Sequence, residues 1–180
     1  MMDFSILYML QGIRCGWLDQ LMLVITKLAG DYGQIWAVTG AVLCLFKKTR
    51  KCGIEMLISY GLVYLIGQYG LKDLIARPRP CHIDQTVELL VKRPSSYSCP
   101  STHSAWAAAG AAVIFMNHRK AGIMVSILAA LICFSRLYLF VHFPSDVLCG
   151  IVLGILCAIA AVKAVNGIVH MNKLKYAKKQ

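Results

Sequence analysis

Acidic residues are scarce in this sequence: 8 Asp and Glu stand against 19 Lys and Arg in 180 residues, for a net charge of +11. Nowhere do carboxylates and histidines gather into the sets that hold Mg²⁺ or Zn²⁺, and none of the 8 Cys falls into a CxxC pair. No metal site and no cofactor are therefore expected. Charged residues amount to 15 % of the chain, too few for an ordinary soluble domain. Internal repeats and low-complexity tracts are absent. The opening residues, MMDFSILYMLQGIR, lack the basic start and small-residue cleavage site of a signal peptide, so a cleaved leader is not expected.

What the chain has in abundance is apolar length. Hydrophobic residues make up 58 %, mean hydropathy is +0.64, and apolar runs of the length that crosses a bilayer recur. The reading is all-α: a polytopic membrane bundle of six transmembrane helices forming one domain over 1–180. The spans are expected near 16–30, 33–47, 53–75, 101–117, 121–140 and 144–170. The first is the weakest, because Asp19 and Lys27 interrupt it, although Leu18, Leu21, Met22, Ile25 and Leu28 keep helical spacing. Residues 1–14 read as a short interfacial helix.

Basic clusters set the orientation. KKTRK (Lys47 to Lys51), Arg119 with Lys120, and the tail 171–180 all fall on one side, which the positive-inside rule makes cytoplasmic. Both termini are then expected in the cytoplasm. In a soluble protein this charge would suggest nucleic acid. Here basic loops meeting anionic lipids suffice, and no nucleic-acid partner is expected.

Three segments converge on the other face. They are Lys72 to Pro80 (KDLIARPRP), Pro100 to His103 (PSTH) and Ser135 to Asp146 (SRLYLFVHFPSD), joined through an outer loop over 76–100. Lys72, Arg79 and Arg136 would form a concentrated positive site. Arginine suits bidentate contact with phosphate oxygens, and lysine supplies a point charge. Ser101 is an expected N-cap, and the helix start after it offers free N–H groups to an anion. Asp146 follows His142 by four residues, about one helical turn, so it could hold one imidazole nitrogen and leave the other as a nucleophile. His103 could protonate the leaving oxygen and then activate water. Taken singly, each residue has a plainer role: an interior hydrogen-bonded His, a capping Ser, a first-turn acid. Their arrival at one depth is what points to metal-independent phosphoryl chemistry.

These three segments resemble the signature of the type-2 phosphatidic acid phosphatase superfamily, whose fold is shared with vanadium haloperoxidases. Its first part is Lys, six residues, Arg-Pro, here Lys72 to Arg79-Pro80. Its second is Pro-Ser-Gly-His, here Pro100-Ser101-Thr102-His103. Its third is Ser-Arg, five residues, His, three residues, Asp, here Ser135-Arg136, His142 and Asp146. The resemblance implies a phosphohistidine on His142 oriented by Asp146, with His103 as acid and then base. It assigns phosphate to Lys72, Arg79, Ser101, Arg136 and the Thr102 N–H. Thr102 departs from the usual Gly, which would let backbone approach an oxyanion more closely. The resemblance also implies a lipid phosphate or diphosphate substrate, a bacterial plasma-membrane location and an extracytoplasmic site, with undecaprenyl diphosphate the first choice. Phosphatidylglycerophosphate or phosphatidic acid is the alternative substrate. An anionic-lipid binding or transport protein is the non-enzymatic alternative. Cys81 and Cys99 bracket the outer loop, where a disulfide could persist.

Overall fold

The computed structural model describes residues 2–177; the last residues of the basic tail, 178–180, lie outside it. Every element among the described residues is helical. α1 is Met2–Gly12, α2 Gly16–Ala29 and α3 Gln34–Leu45. α4, Arg50–Leu62, runs on through a π-helical segment, Val63–Leu71, into α5, Lys72–Ile75. A short α6, Pro80–Ile83, precedes the outer loop. α7 is Thr102–Asn117, α8 Arg119–Tyr138 and α9 Pro144–Ala177.

α7 is the centre of the bundle, packed against α8, α9 and α4. Its sequence explains this position. The run of Ala and Gly from Ala107 to Ala112 presents almost no side chain, so neighbouring helices come close. Gly150 and Gly154, four apart on α9, lie against the backbone carbonyls of Ser101 and Ala105 on α7. Trp36 of α3 occupies the space that a side chain at Gly110 would need. Pro144, with its fixed φ and missing N–H, opens α9. α5 stops at Ala76, which takes φ 48° ahead of Pro78 and Pro80.

Three helical stretches are long and apolar enough to cross a membrane: Arg50–Ile83, Arg119–Tyr138 and Pro144–Asn172. α3 and α7, at 12 and 16 residues, are shorter. The basic turns at 46–49 and 118 share the end of the bundle away from the three signature segments, where Asn117 Nδ2 donates to Glu55 at 2.5 Å.

α2, Gly16–Ala29, was expected as a crossing. The contacts along it stay at the end of the bundle that carries the signature segments. Asp19 accepts from Tyr138 Oη at 2.6 Å, Thr26 bonds Arg136, and the Gly30 carbonyl faces His103 at 2.9 Å. α1 lies on the same end. Phe4 packs edge-on against Phe143 at 5.1 Å, Gln11 donates to the Tyr138 carbonyl, and Tyr8 donates to Asp84 at 2.7 Å. α9 starts at this end and runs away for 34 residues, about 50 Å. α1 thus packs at the end of the bundle where α9 begins. The buried residues of α2, Met22, Ile25, Thr26 and Ala29, pack it at this end of the bundle.

Candidate active site

The three signature segments meet beneath the outer loop, at the ends of α5, α7 and α8 and the start of α9. His142 is 1 % exposed, Lys72 2 %, Arg79 4 % and Arg136 6 %. Three cations are thus held almost out of water. The one carboxylate among them, Asp146, is fully buried and already paired, since Arg77 donates Nη1 to its Oδ1 at 2.6 Å. Unbalanced buried positive charge is costly, and an anion is what relieves it. Arg136 Nε is a buried donor with no partner among the described residues, and a phosphoryl oxygen is a fitting acceptor.

The loop is tied down by those same cations. Lys72 Nζ donates to the Tyr97 carbonyl at 2.9 Å. Arg79 donates to the Ser96 carbonyl at 2.7 Å and to Ser96 Oγ at 3.0 Å. The amide of Ser98 donates to the Arg77 carbonyl at 2.8 Å. These bonds hold Arg79 close to the start of α7 without any covalent link. Cys81 and Cys99, expected as a bridge, are both free thiols. Cys81 packs into a cluster with Leu7, Phe140 and Phe143, whereas Cys99 lies by Cys149. Their side chains serve different neighbours.

Hydrogen-bond chemistry assigns the histidine tautomers. Arg79 Nη1 stands 3.0 Å from His142 Nε2. Guanidinium only donates, so Nε2 presents its lone pair and Nδ1 carries the hydrogen. Nε2 is therefore the ring nitrogen that keeps its lone pair, and it turns that lone pair toward Arg79. On its other side, Nδ1 lies 3.9 Å from Asp146 Oδ2, too far for a direct bond. Ser98 Oγ stands between them, donating to Asp146 Oδ2 at 2.5 Å and 3.5 Å from Nδ1. The Phe143 amide also donates to Oδ2, at 2.9 Å. For His103 the logic reverses: a carbonyl only accepts, so Gly30 fixes the hydrogen on Nε2 and leaves Nδ1 to exchange protons.

Ser101 occupies the N-cap position of α7, but its hydroxyl makes no capping bond. It accepts from Ser104 Oγ at 3.0 Å instead, which leaves its own O–H to donate. Its amide donates to the Asp146 carbonyl at 3.0 Å and ties α7 to α9. Thr102 begins α7, where a first-turn N–H has no partner within the helix. Its hydroxyl turns away to Gln68 at 3.4 Å, and its methyl fits beside Gly67 in the π-helical segment. The missing side chain at Gly67 leaves room for the methyl of a Thr where the family pattern has Gly.

Sequence reasoning missed Ser98, Gly30, Thr26 and the role of Arg77. Ser98 sits two residues before the second signature segment, and Arg77 sits inside the first, so proximity was the only available signal. Beyond Asp146, Arg77 donates to Ser145 Oγ at 2.7 Å and to Asp3 at 2.9 Å. Partial burial pushes the Asp3 carboxyl up, but the hydrogen bonds from Ser145 and Arg77 outweigh it, so its pKa lies below the ordinary value. Asp84 is lowered by the Thr86 hydroxyl and then by Tyr8.

Comparison with known proteins agrees with this geometry. The model of the PAP2 superfamily matches residues 53–169. An undecaprenyl-diphosphatase from Sulfolobus acidocaldarius is 34 % identical over 138 residues, 76 % of this chain and 66 % of that one. Phosphatidylglycerophosphatase B from Bacillus subtilis is 34 % identical over 157 residues, 80 % of this chain and 73 % of that one. Among solved structures, a transmembrane PAP2-type phosphatidylglycerolphosphate phosphatase from Bacillus subtilis superposes with TM-score 0.74 at 32 % identity, covering 93 % of this chain and 85 % of that one. LpxE from Aquifex aeolicus gives 0.72 at 26 % identity, covering 91 % and 96 %. The chain belongs to the PAP2 superfamily and is a helical membrane phosphatase of that family.

Proposed function

We propose that the protein removes phosphate from a polyprenyl diphosphate, converting undecaprenyl diphosphate to undecaprenyl phosphate at the outer face of the plasma membrane. The observation that carries the phosphoryl chemistry is the trio of buried cations, Lys72, Arg79 and Arg136, around the Nε2 lone pair of His142. In the first half-reaction Nε2 forms a bond to phosphorus while the bond to the lipid-side oxygen breaks. His103 gives that oxygen its proton through Nδ1. In the second, His103 takes a proton from water, the water oxygen bonds phosphorus, and the N–P bond breaks to free His142 and release phosphate. The cations and the first-turn amides of α7 hold the equatorial oxygens throughout.

The substrate choice is supported by the undecaprenyl-diphosphatase at 34 % identity. A second reading, hydrolysis of phosphatidylglycerophosphate, is supported by the solved Bacillus subtilis relative. For topology, α3, α4 with its continuation, α7, α8 and α9 are read as five crossings, and α1 and α2 as interfacial helices beside the site. The basic turns then face the cytoplasm. This replaces the six crossings expected from the sequence and sets α1 outside.

The test is phosphate release in detergent with EDTA present, from undecaprenyl diphosphate, phosphatidylglycerophosphate and phosphatidic acid, with His142→Ala as control. Release that ignores EDTA, requires His142 and is fastest on the diphosphate is expected. A faster monoester rate would select the second reading. Lipid binding that survives His142→Ala, with no turnover by the parent protein, would mark a binding protein instead.

A further inference from the structure

Arg77 lies outside the phosphate-binding trio, yet it makes the shortest bond to the catalytic carboxylate of any charged group. We propose that Arg77 is a positioning residue of the phosphatase reaction, fixing Asp146 and, through Asp146 and Ser98, the orientation of His142. The proposal rests on the reading that His142 attacks and Asp146 supports it.

The geometry divides the work between the two oxygens of Asp146. Oδ2 takes Ser98 Oγ and the Phe143 amide, on the side facing His142. Oδ1 takes Arg77 Nη1. A carboxylate held at one oxygen only can rotate about its Cβ–Cγ bond. Held at both, its plane is set, and the Ser98 hydroxyl has one place to point. Arg77 is itself held at both terminal nitrogens. Nη1 also donates to Ser145 Oγ at 2.7 Å, Nη2 donates to Asp3 at 2.9 Å, and the guanidinium lies over the Phe143 ring at 4.1 Å. Ser145 Oγ closes the ring by donating to Asp3 at 2.6 Å. One fork thus reaches inward to a fully buried carboxylate and outward to a half-buried one on α1. Lysine, a single point donor, cannot hold both in fixed directions. The two terminal nitrogens of Arg77 are committed to these partners, whereas Arg79 meets His142 and Arg136 keeps an unpartnered donor. Arg79 is fully engaged too, through Ser96, Val141 and His142, so it is direct contact with His142, not spare donors, that sets Arg79 apart from Arg77.

The experiment compares parent, R77A, R77K, D146N, R77A/D146N and R77K/D146N in detergent, reading kcat, KM and the melting temperature of each. R77A is expected to lower kcat by about 10- to 100-fold, the range commanded by groups that orient a reactive side chain, with KM within about 2-fold. R77K is expected to recover only part of the loss. In the D146N background either change is expected to cost less than about 2-fold more, because the group through which Arg77 acts is already impaired. If R77A does not fold, the R77K pair carries the same comparison. Equal fold-losses in both backgrounds overturn the proposal, as does a raised KM with kcat kept, or parental kcat in R77K. A D146N enzyme with parental turnover overturns the underlying role of Asp146 and the proposal with it; a slow D146N with additive Arg77 losses overturns the proposal alone.

Discussion

Gly150→Ala is expected to cripple turnover although residue 150 touches no substrate. A Cβ at Gly150 would stand 2.3 Å from the Ser101 carbonyl oxygen and 3.2 Å from Ser104 Cβ. The first distance falls short of ordinary contact by about 1 Å. The obstacle is backbone on the first turn of α7, not the end of a flexible side chain, so α9 must shift away by about that amount. Such overpacking costs about 1–3 kcal/mol of stability. The shift also separates the two halves of the site, because α9 carries Asp146 in its first turn, with His142 just before it, and α7 carries Ser101 and His103. The Ser101 amide to Asp146 carbonyl bond, now 3.0 Å, would break. A misplacement near 1 Å at reacting groups costs on the order of 100-fold in rate. The assay is steady-state phosphate release by detergent-purified G150A beside Gly167→Ala. Gly167 lies on the same helix, and a methyl added there would meet nothing within 4 Å, so its alanine is expected to be neutral in rate. If G150A keeps kcat within about 2-fold of the parent, the claim that α7–α9 contact sets catalytic geometry is wrong.

Other expectations follow from single contacts. Ser98→Ala should lower kcat by about 10-fold or more while KM stays constant, because the hydroxyl is the only link between Asp146 and His142 Nδ1 among the described residues; an unchanged kcat means the two interact without it. Thr102→Gly should remain active, since the Thr102 side chain turns to Gln68 and Gly67 and not to the cations; a KM raised about 10-fold would make the threonine a specific adaptation. Docking of α1 rests partly on Asp3 and Asp84, both lowered below the ordinary carboxylate value. Groups lowered in this way stabilise fully above their unfolded pKa, and the contribution disappears as pH falls through the lower folded value. Pepsin nicking of 2–14, normalised to an unstructured peptide, should therefore rise below about pH 4 and stay low above it; a flat profile down to about pH 2.5 would refute the role of these carboxylates.

The convergence of the candidate site was legible in the sequence because its parts carry chemistry at fixed intervals. Lys72, Arg79, Ser101, His103, Arg136, His142 and Asp146 fall on helix ends that any antiparallel bundle of these segments brings to one face. Direct contact between Asp146 and His142 was not a safe deduction. A separation of four residues puts two side chains one turn apart only inside a helix, and His142 precedes Pro144, where α9 begins. Ser98 and Arg77 were invisible as partners of Asp146 because their bonds reach across 48 and 69 residues. The course of α2 was not legible in the sequence for a different reason. Apolar spacing fixes which face of a helix is buried but not the direction in which its axis runs, and Met22, Ile25 and Ala29 serve a helix lying across α8 as well as one beside it. Cys81 and Cys99 bracket a loop in the chain, but chain bracketing does not say what each side chain meets: Cys81 packs with Leu7, Phe140 and Phe143, and Cys99 lies beside Cys149.

The central claim is that His142 Nε2 attacks phosphorus. The most direct measurement is rapid mixing with ³²P-labelled lipid substrate, an alkaline quench that preserves phosphohistidine, and mapping of the labelled peptide. Label on the peptide containing His142 is expected, accumulating in His103→Ala and absent from His142→Ala. Turnover by the parent with no label on His142 in any variant would contradict the account.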